Sequence, residues 1–231
     1  MNLKRWLIVG AIVLVVLVVG GPYFYSHVVE GKAPKKLTLS NSPGISSSGS
    51  QADSASVSLD GTWKVATGSQ AGYRVKEVLF GQSHEAVGRT SSVTGQIAIS
   101  GSTVDAGPFT VDLTTVTSDQ NRRDRQFQGR VMNTAAYPTA TFKVSQPIEL
   151  KSLPADNVTT TVDVPGELTM HGTTRPVTIH VSARRAASKI EVSGSVPVTF
   201  ADWNIPNPSF GGVVTTEDHG VMEFLLNLSH A

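Results

Sequence analysis

A short stretch of the chain concentrates positively charged side chains that could bind an anion. Four arginines, Arg122, Arg123, Arg125 and Arg130, lie close together in a sequence with only 16% charged residues. Arginine suits phosphate because its planar guanidinium donates hydrogen bonds to two oxygens at once. The same arginines could instead form ion pairs that fix a short helix, or attract anionic headgroups at a membrane surface. The sequence alone leaves these three roles open.

The residue types that usually carry out catalysis form no recognisable motif in this sequence. The chain has no cysteine, which excludes a thiolate nucleophile, a disulfide and a cysteine-based metal centre. Ser83 lies in GQSHE, where a glutamate takes the place of the second glycine of a nucleophile elbow. The six histidines are scattered without ligand spacing, and paired carboxylates and glycine-rich phosphate loops are not found. We therefore expect a protein that is not an enzyme and uses no metal or other cofactor.

The overall charge gives no indication of a nucleic-acid partner. The formal net charge is only +1 at pH 7, spread over 231 residues. Domains that bind nucleic acids usually carry a clearly basic face, because they must neutralise phosphates. We therefore expect the partner of this protein to be of another class.

The N-terminal apolar run predicts a membrane anchor. Residues 6–25 give a stretch of about 20 residues, enough for a helix to cross a hydrocarbon core of ~30 Å. Trp6 marks one end and Tyr23 to Tyr25 mark the other, as interfacial aromatic residues do. A cleaved signal peptide is the alternative, but the run ends in GGPYFYSHVV without a small-residue cleavage site. We expect residues 1–25 to be a single-pass anchor in the cell membrane, with the rest outside the cytoplasm.

The remainder of the chain divides into a linker and one folded domain. Residues 26–58 include LSNSPGISSSGSQADSAS, a serine-rich composition that buries too little apolar surface to fold. We predict a flexible linker there. Residues 59–231 are long enough to form one domain with a core of its own.

Alternation of apolar and polar residues is the main structural signal within this domain. Phe109, Val111 and Leu113 alternate with polar neighbours, and residues 177–181 and 222–228 do the same. Period-two runs rich in Val, Thr and Phe predict half-buried antiparallel strands. We count about eight or nine strands and one short helix near Asn121 to Met132, which predicts an all-β sandwich or barrel. The alternation identifies the apolar face but leaves open whether that face encloses a cavity.

Five motifs follow one another in this domain: DGTWKV, GYRVKEVLFGQSHEAVGRTSSVTGQI, NRRDRQFQGRVMNTAAYPTATF, GELTMHGTTRPVTIHV and DWNIPNPSFGGVVTTEDHGVMEFLL. In this order they resemble the YceI-like family, the polyisoprenoid-binding proteins of the bacterial envelope. The resemblance covers Leu59 to Ala231, and the third and fourth motifs in succession are its most specific part. Two departures stand out: Gln126 occupies a place where the family often has histidine, and VMNTAA replaces a frequent aromatic pair.

The resemblance implies a lipocalin-like antiparallel β-barrel of about eight strands with an elongated apolar interior. It implies binding of a long isoprenoid lipid, such as a polyprenyl phosphate or a quinone-type lipid, and no catalysis. A packed barrel that serves as an interaction or stress-response module, and an enzyme acting on an isoprenoid-like ligand, remain alternatives. The residues expected to line the path of the tail are Tyr73, Val75, Phe109, Val111, Phe142, Val144, Leu168, Met170, Phe200, Trp203 and Phe224. The residues expected at a headgroup or cap are Arg89, Arg123, Asp124 and Arg125.

Overall fold

Antiparallel strands dominate the structure, a computed structural model that describes residues 33–40, 59–79, 81–150, 155–186, 188–212 and 214–231. They form one sheet, in which every strand pairing between the described residues is antiparallel. The strands are β1 (Gly61–Val65), β2 (Gln70–Leu79), β3 (Gln82–Thr90), β4 (Val93–Thr94), β5 (Gln96–Ser100), β6 (Thr103–Ala106), β7 (Phe109–Asp112), β8 (Thr139–Val144), β9 (Ile148–Glu149), β10 (Thr159–Met170), β11 (Thr173–Ala186), β12 (Lys189–Thr199), β13 (Val214–Thr216) and β14 (His219–His230).

The sheet curls into a half-barrel. Its main path is β4-β7-β8-β10-β11-β12-β14-β1-β5-β6-β9, and β14 also pairs with β2, which pairs with β3 and β13. The all-β prediction is confirmed, but the predicted number of about eight strands is too low, since the described residues form a sheet of 14. Several of these strands are short and are separated by tight turns; Gly101, for example, with a φ of +56°, lies in the turn between β5 and β6.

One short helix lies between β7 and β8, where the sequence predicts it. Helix α1 (Asn121–Gln126) continues directly into a π-helical turn, Phe127–Val131. Two 3-10 turns, Leu113–Thr115 and Phe200–Trp203, end the strands that precede them. Helix α1 and the π-helical turn together form the cap at one end of the half-barrel.

The interior of the sheet has a hydrophobic cluster at each end. The cluster near the cap includes Val198 and Phe200, together with Met132 from the turn after α1. The cluster at the opposite end includes Trp63 and Leu228, each only 1% exposed. The two clusters meet in the middle of the sheet, where Val111, Val192 and Phe224 pack against both.

The predicted anchor, residues 1–25, lies outside the described residues. Among the residues that are described, no helix is long and apolar enough to cross a membrane. Within the predicted linker, residues 26–58, the structure describes only residues 33–40. These eight residues, called the strap below, lie along the outer wall of the half-barrel without regular secondary structure.

Candidate functional site

The half-barrel encloses two adjoining cavities. The first has a volume of about 700 Å³ and lies beneath the cap, and the second has a volume of about 230 Å³. They adjoin because Ala71, Val111, Ala140 and Met222 line both. The larger one exceeds the lower limit of about 300 Å³ for ligand pockets. The interior is therefore hollow, which argues against the packed-barrel alternative.

Glycines placed opposite aromatic residues explain why the interior is hollow. Gly88 pairs with Tyr73 across β3 and β2, and a methyl group on Gly88 would lie 2.3 Å from Cε1 of Tyr73. Gly194 pairs with Phe224 across β12 and β14, and a methyl group there would lie 2.7 Å from Cζ of Phe224. Each ring therefore packs against the backbone of its neighbour, at a place where a larger residue than glycine would push it further into the cavity.

The second cavity is almost entirely apolar. Most of its lining comes from β7, β8, β10, β11, β12 and β14, and the rest comes chiefly from β2, β4, β5, β6 and β9. Six residues that the sequence predicts as lining lie here: Phe109, Val111, Phe142, Val144, Leu168 and Phe224. Such a chamber can hold a hydrocarbon chain but offers few partners to a polar group.

The first cavity differs because polar side chains of the cap form part of its wall. Tyr73, Val75, Met170 and Phe200, all predicted as lining, contribute its apolar side. The polar side consists of Glu77, Gln120, Arg122, Arg123 and Gln126. Arg122 is exposed to solvent while it lines the cavity, so the cavity reaches the surface beside α1.

Arg123 is held in an ion-pair network at this mouth. Its Nη2 lies 3.1 Å from Oε1 of Glu77, which is only 9% exposed, and its Nη1 contacts the carboxylate of Asp119. Asp124 does not pair with Arg123. Its Oδ1 accepts hydrogen bonds from the backbone N–H of Ser118, at 2.8 Å, and from the Ser118 hydroxyl. Arg123 and Asp124, which are adjacent in the motif, therefore fix the position of the cap through contacts with different partners.

Tyr73 contributes an aromatic surface and a neutral hydroxyl to the wall. Its ring stacks on Phe127 with centroids 4.9 Å apart and planes 13° from parallel. Burial raises the pKa of Tyr73 well above its usual value, although the nearby Arg123 cation partly opposes the shift. The phenol therefore stays protonated at neutral pH and adds no charge to the cavity.

The remaining predicted residues line neither cavity. Trp203 lines neither of them; it is 4% exposed, and its Nε1 donates to the carbonyl oxygen of Leu168 at 3.4 Å. Arg125 is exposed and also lines neither cavity. Arg89 lies on the outer wall with Nη2 2.9 Å from Glu223, because its neighbour Gly88 occupies the inner face. Arg89 was expected at the headgroup or cap together with Arg123 and Arg125, but the structure places it on the outer wall.

Sequence reasoning missed Glu77, Phe127 and Phe210 as lining residues. Glu77 follows Tyr73 and Val75 at period two in β2, so the alternation could have identified it. Phe127 lies in the cap and Phe210 in a loop, where no strand periodicity applies. No group of three or more His, Asp or Glu side chains arranged to hold a metal ion occurs in the described part of the chain.

The strap attaches to the outer wall through charged residues of the strands. Arg74, only 6% exposed, donates to the carbonyl oxygen of Pro34 at 2.8 Å and pairs with Glu85 at 2.8 Å. Arg74 also pairs with Glu223 at 3.3 Å, and the backbone N–H of Leu37 donates to Glu223 at 3.4 Å. The start of the strap therefore covers a buried ion-pair network.

The end of the strap makes a second set of polar contacts. Arg184 donates to the carbonyl oxygen of Ser40 at 2.6 Å and pairs with Glu191 at 2.6 Å, and the Ser40 hydroxyl also donates to Glu191. Burial alone tends to raise the pKa of Glu191, but the hydrogen bonds from Ser40 and Arg184 outweigh it and lower the pKa. The contact with the strap thus favours the ionised carboxylate.

Comparison with known proteins places this fold among characterised relatives. The model of the YceI-like domain matches residues 63–227. A polyisoprenoid-binding domain from Saccharophagus degradans has a similar structure, with a TM-score of 0.60 at 19% identity, covering 74% of this chain and 98% of that one. BcnA from Burkholderia cenocepacia gives a TM-score of 0.47 at 18% identity, covering 67% of this chain and 95% of that one. A UPF0312 protein of Vibrio parahaemolyticus is 28% identical over 116 residues, which cover 47% of this chain and 58% of the relative.

Proposed function

This chain belongs to the YceI-like family, and from that premise we propose that it binds a long isoprenoid lipid of the bacterial cell envelope. The tail lies in the two cavities, and the polar end lies at the mouth of the first. The solved domain from Saccharophagus degradans, described as polyisoprenoid-binding, supports this ligand class by similarity of fold. The protein acts as a binding protein that sequesters or carries the lipid.

The observation that carries the proposal is the pair of adjoining cavities. An isoprenoid tail is long, narrow and apolar, and two chambers that share a wall offer a continuous apolar surface to such a shape. Burial of each methylene contributes about 0.8 kcal/mol, partly offset by the ordering of a flexible tail. A few isoprene units buried beyond Met222, which lines both cavities, therefore give useful affinity.

The polar mouth suits a headgroup that accepts hydrogen bonds. Arg122 is exposed and lines the cavity, so we assign it the contact with a phosphate or a quinone oxygen. Arg123 stands beside it but already faces Glu77 and Asp119, so its charge is largely compensated. Among the described residues at the mouth, Arg122 is therefore the cation outside any ion pair, and the amide of Gln126 lines the same cavity.

Attachment to the membrane belongs to the same proposal. The apolar run 6–25 anchors the chain in the cell membrane, and the half-barrel lies on the outer side, where it exchanges lipid with the bilayer. The anchor keeps the binding domain close to the source of its ligand.

The test is native mass spectrometry of residues 33–231 purified from bacteria, followed by organic extraction. This part of the chain holds both hydrophobic clusters and the strap. The match to the YceI-like domain, residues 63–227, also lies within this part of the chain. We expect a co-purifying isoprenoid species that is released intact. A protein that stays free of ligand after incubation with polyprenyl phosphates and quinones would contradict the proposal, and conversion of the lipid would indicate an enzyme.

A further inference from the structure

A surface at the mouth of the first cavity combines exposed arginines with an exposed aromatic ring. We call this surface the lip; it consists of Arg122, Arg125 and Arg130 of the cap and Phe210 of the loop after the last 3-10 turn. Phe210 is 52% exposed, although it also lines the first cavity. A large apolar side chain at the edge of an apolar cavity extends the apolar surface of the cavity to the outside.

Contacts between the cap and the loop hold the lip together. Arg130 donates from Nη2 to the carbonyl oxygen of Pro208 at 2.8 Å and from Nη1 to that of Asn207 at 3.3 Å. A guanidinium has five N–H donors, so its remaining donors and its charge still face solvent. The arginines and Phe210 therefore belong to one surface and not to two independent segments.

The exposed charge of the lip is positive. The loop from Asn204 to Gly212 contains no acidic residue. The two carboxylates of the cap segment are already engaged, Asp119 with Arg123 and Asp124 with Ser118. The charges that remain for a partner are those of the arginines, which complement an anionic surface.

The strap shows from which side the N-terminal part of the chain reaches the domain. Pro34 contacts Arg74, which lies between Tyr73 and Val75 in the wall of the first cavity. Ser40 contacts Glu191, whose neighbours Ile190 and Val192 line the second cavity. The described part of the strap therefore begins in the half of the molecule that carries the lip. The seven residues 26–32 span at most about 25 Å when extended, so a membrane-anchored chain keeps this half near the bilayer.

We propose that the lip docks on an anionic lipid surface. Phe210 enters the interfacial layer, and the arginines contact lipid phosphates, as amphipathic surfaces do at membranes. The docked mouth then opens toward the bilayer, and a lipid tail passes into the first cavity without crossing water. The passage of the tail rests on the proposed function, whereas the docking itself does not.

The experiment is co-sedimentation of residues 33–231 with vesicles, since this part lacks the apolar run that could itself bind lipid. The vesicles contain phosphatidylcholine alone or phosphatidylcholine with 30 mol% phosphatidylserine. We expect binding to the anionic vesicles that weakens with salt, because surface charges are screened. The double variant Arg122→Gln/Arg125→Gln should bind about 25-fold more weakly, at about fivefold per arginine near the surface. Phe210→Ser should weaken binding several-fold.

A matched control uses the opposite end of the half-barrel. Val158 is 49% exposed and Lys189 is also exposed, and neither lines a cavity. The double variant Val158→Ser/Lys189→Gln likewise removes exposed apolar surface and positive charge, so its binding to vesicles should be unchanged. Equal loss in the control and the lip variants, or no preference of the wild type for anionic vesicles, would overturn the docking proposal. Mass spectrometry of bound isoprenoid in the same variants reports separately whether the cavities still hold a ligand.

Discussion

The two cavities of this half-barrel share walls but differ in what they offer a ligand. The first, of about 700 Å³, is bordered by the charged and amide side chains of the cap. The second, of about 230 Å³, is enclosed almost entirely by apolar side chains of the strands. Polar groups are costly to bury without partners, so a headgroup is tolerated only in the first cavity. A ligand with one polar end and a long apolar tail therefore has one favoured orientation.

The difference between the cavities follows from the elements that build them. Strands place side chains alternately on two faces, so a chamber made only of strands is uniformly apolar inside. Helix α1 and the π-helical turn have no such constraint and bring Arg122 and Gln126 to the same wall as Phe127. The polar side chains at the mouth thus come mainly from one short segment, with Glu77 added from β2, whereas the apolar lining is distributed over the sheet.

The largest expected effect comes from placing a charge in the second cavity. Phe142→Asp replaces a lining ring with a carboxylate that has few polar partners, so burial of a tail beside it is strongly disfavoured. We expect binding of a long-chain prenyl alcohol to weaken at least 100-fold, measured by titration calorimetry. Phe142→Leu is the control and should bind nearly as the wild type does. Unchanged binding by a folded Phe142→Asp variant would show that the tail does not enter this cavity. If the aspartate prevents folding, the same measurement is made with Phe142→Ser.

A smaller effect is expected from filling the second cavity. In Gly194→Ala the added methyl group would lie 2.7 Å from Cζ of Phe224, so the ring must move toward the interior. We expect affinity for long tails to fall about tenfold, because several buried methylenes are lost, while short tails are unaffected. Gly129→Ala is the control, since a methyl group there meets nothing within 4 Å. Equal loss for short and long tails would mean that the ring does not limit the depth of the cavity.

A substitution at the mouth of the first cavity can alter the charge near a headgroup while it leaves the apolar lining for the tail unchanged. Glu77→Gln removes a carboxylate that faces Arg123 at 3.1 Å and so leaves more positive charge for a headgroup. We expect the preference for a prenyl phosphate over the alcohol of equal length to rise several-fold. Glu85→Gln removes a carboxylate that pairs with Arg74 on the outer wall and should leave this preference unchanged. If both variants behave alike, the headgroup does not lie beside Arg123.

The smallest effect concerns the strap and pH. Folding lowers the pKa of Glu191. Between the pKa of the folded state and that of the unfolded state, the folded protein therefore binds fewer protons than the unfolded chain. The free energy of unfolding rises with pH over this interval. Its contribution, about 1 kcal/mol after solvent screening, is complete above the ordinary Glu pKa of about 4.3 and is lost as pH falls through the folded value. Urea unfolding of the wild type and Glu191→Gln should therefore differ at pH 7 and converge in acid. A difference independent of pH would contradict the role of the carboxylate.

The alternating residues predicted the inner face of the sheet well, and ten of the eleven expected lining residues border a cavity. Trp203 is the exception: it ends the 3-10 turn that Phe200 begins, and its Nε1 donates to the carbonyl oxygen of Leu168. The volume of the interior could not be predicted, since it depends on pairs such as Gly194 with Phe224, which are 30 residues apart in the sequence but opposite each other in the sheet. Arg89 was misplaced for the same reason: its partner Glu223 is 134 residues away.

The most direct test of this account is a titration of residues 33–231, freed of lipid, with prenyl alcohols of increasing length. If the tail runs from the mouth through both cavities, affinity should rise with each isoprene unit until the second cavity is full and then remain constant. Gly194→Ala should reach its constant value at a shorter tail than the wild type does. An affinity that does not change with tail length, or a wild type and Gly194→Ala that level off at the same length, would contradict the central claim that one lipid occupies both cavities.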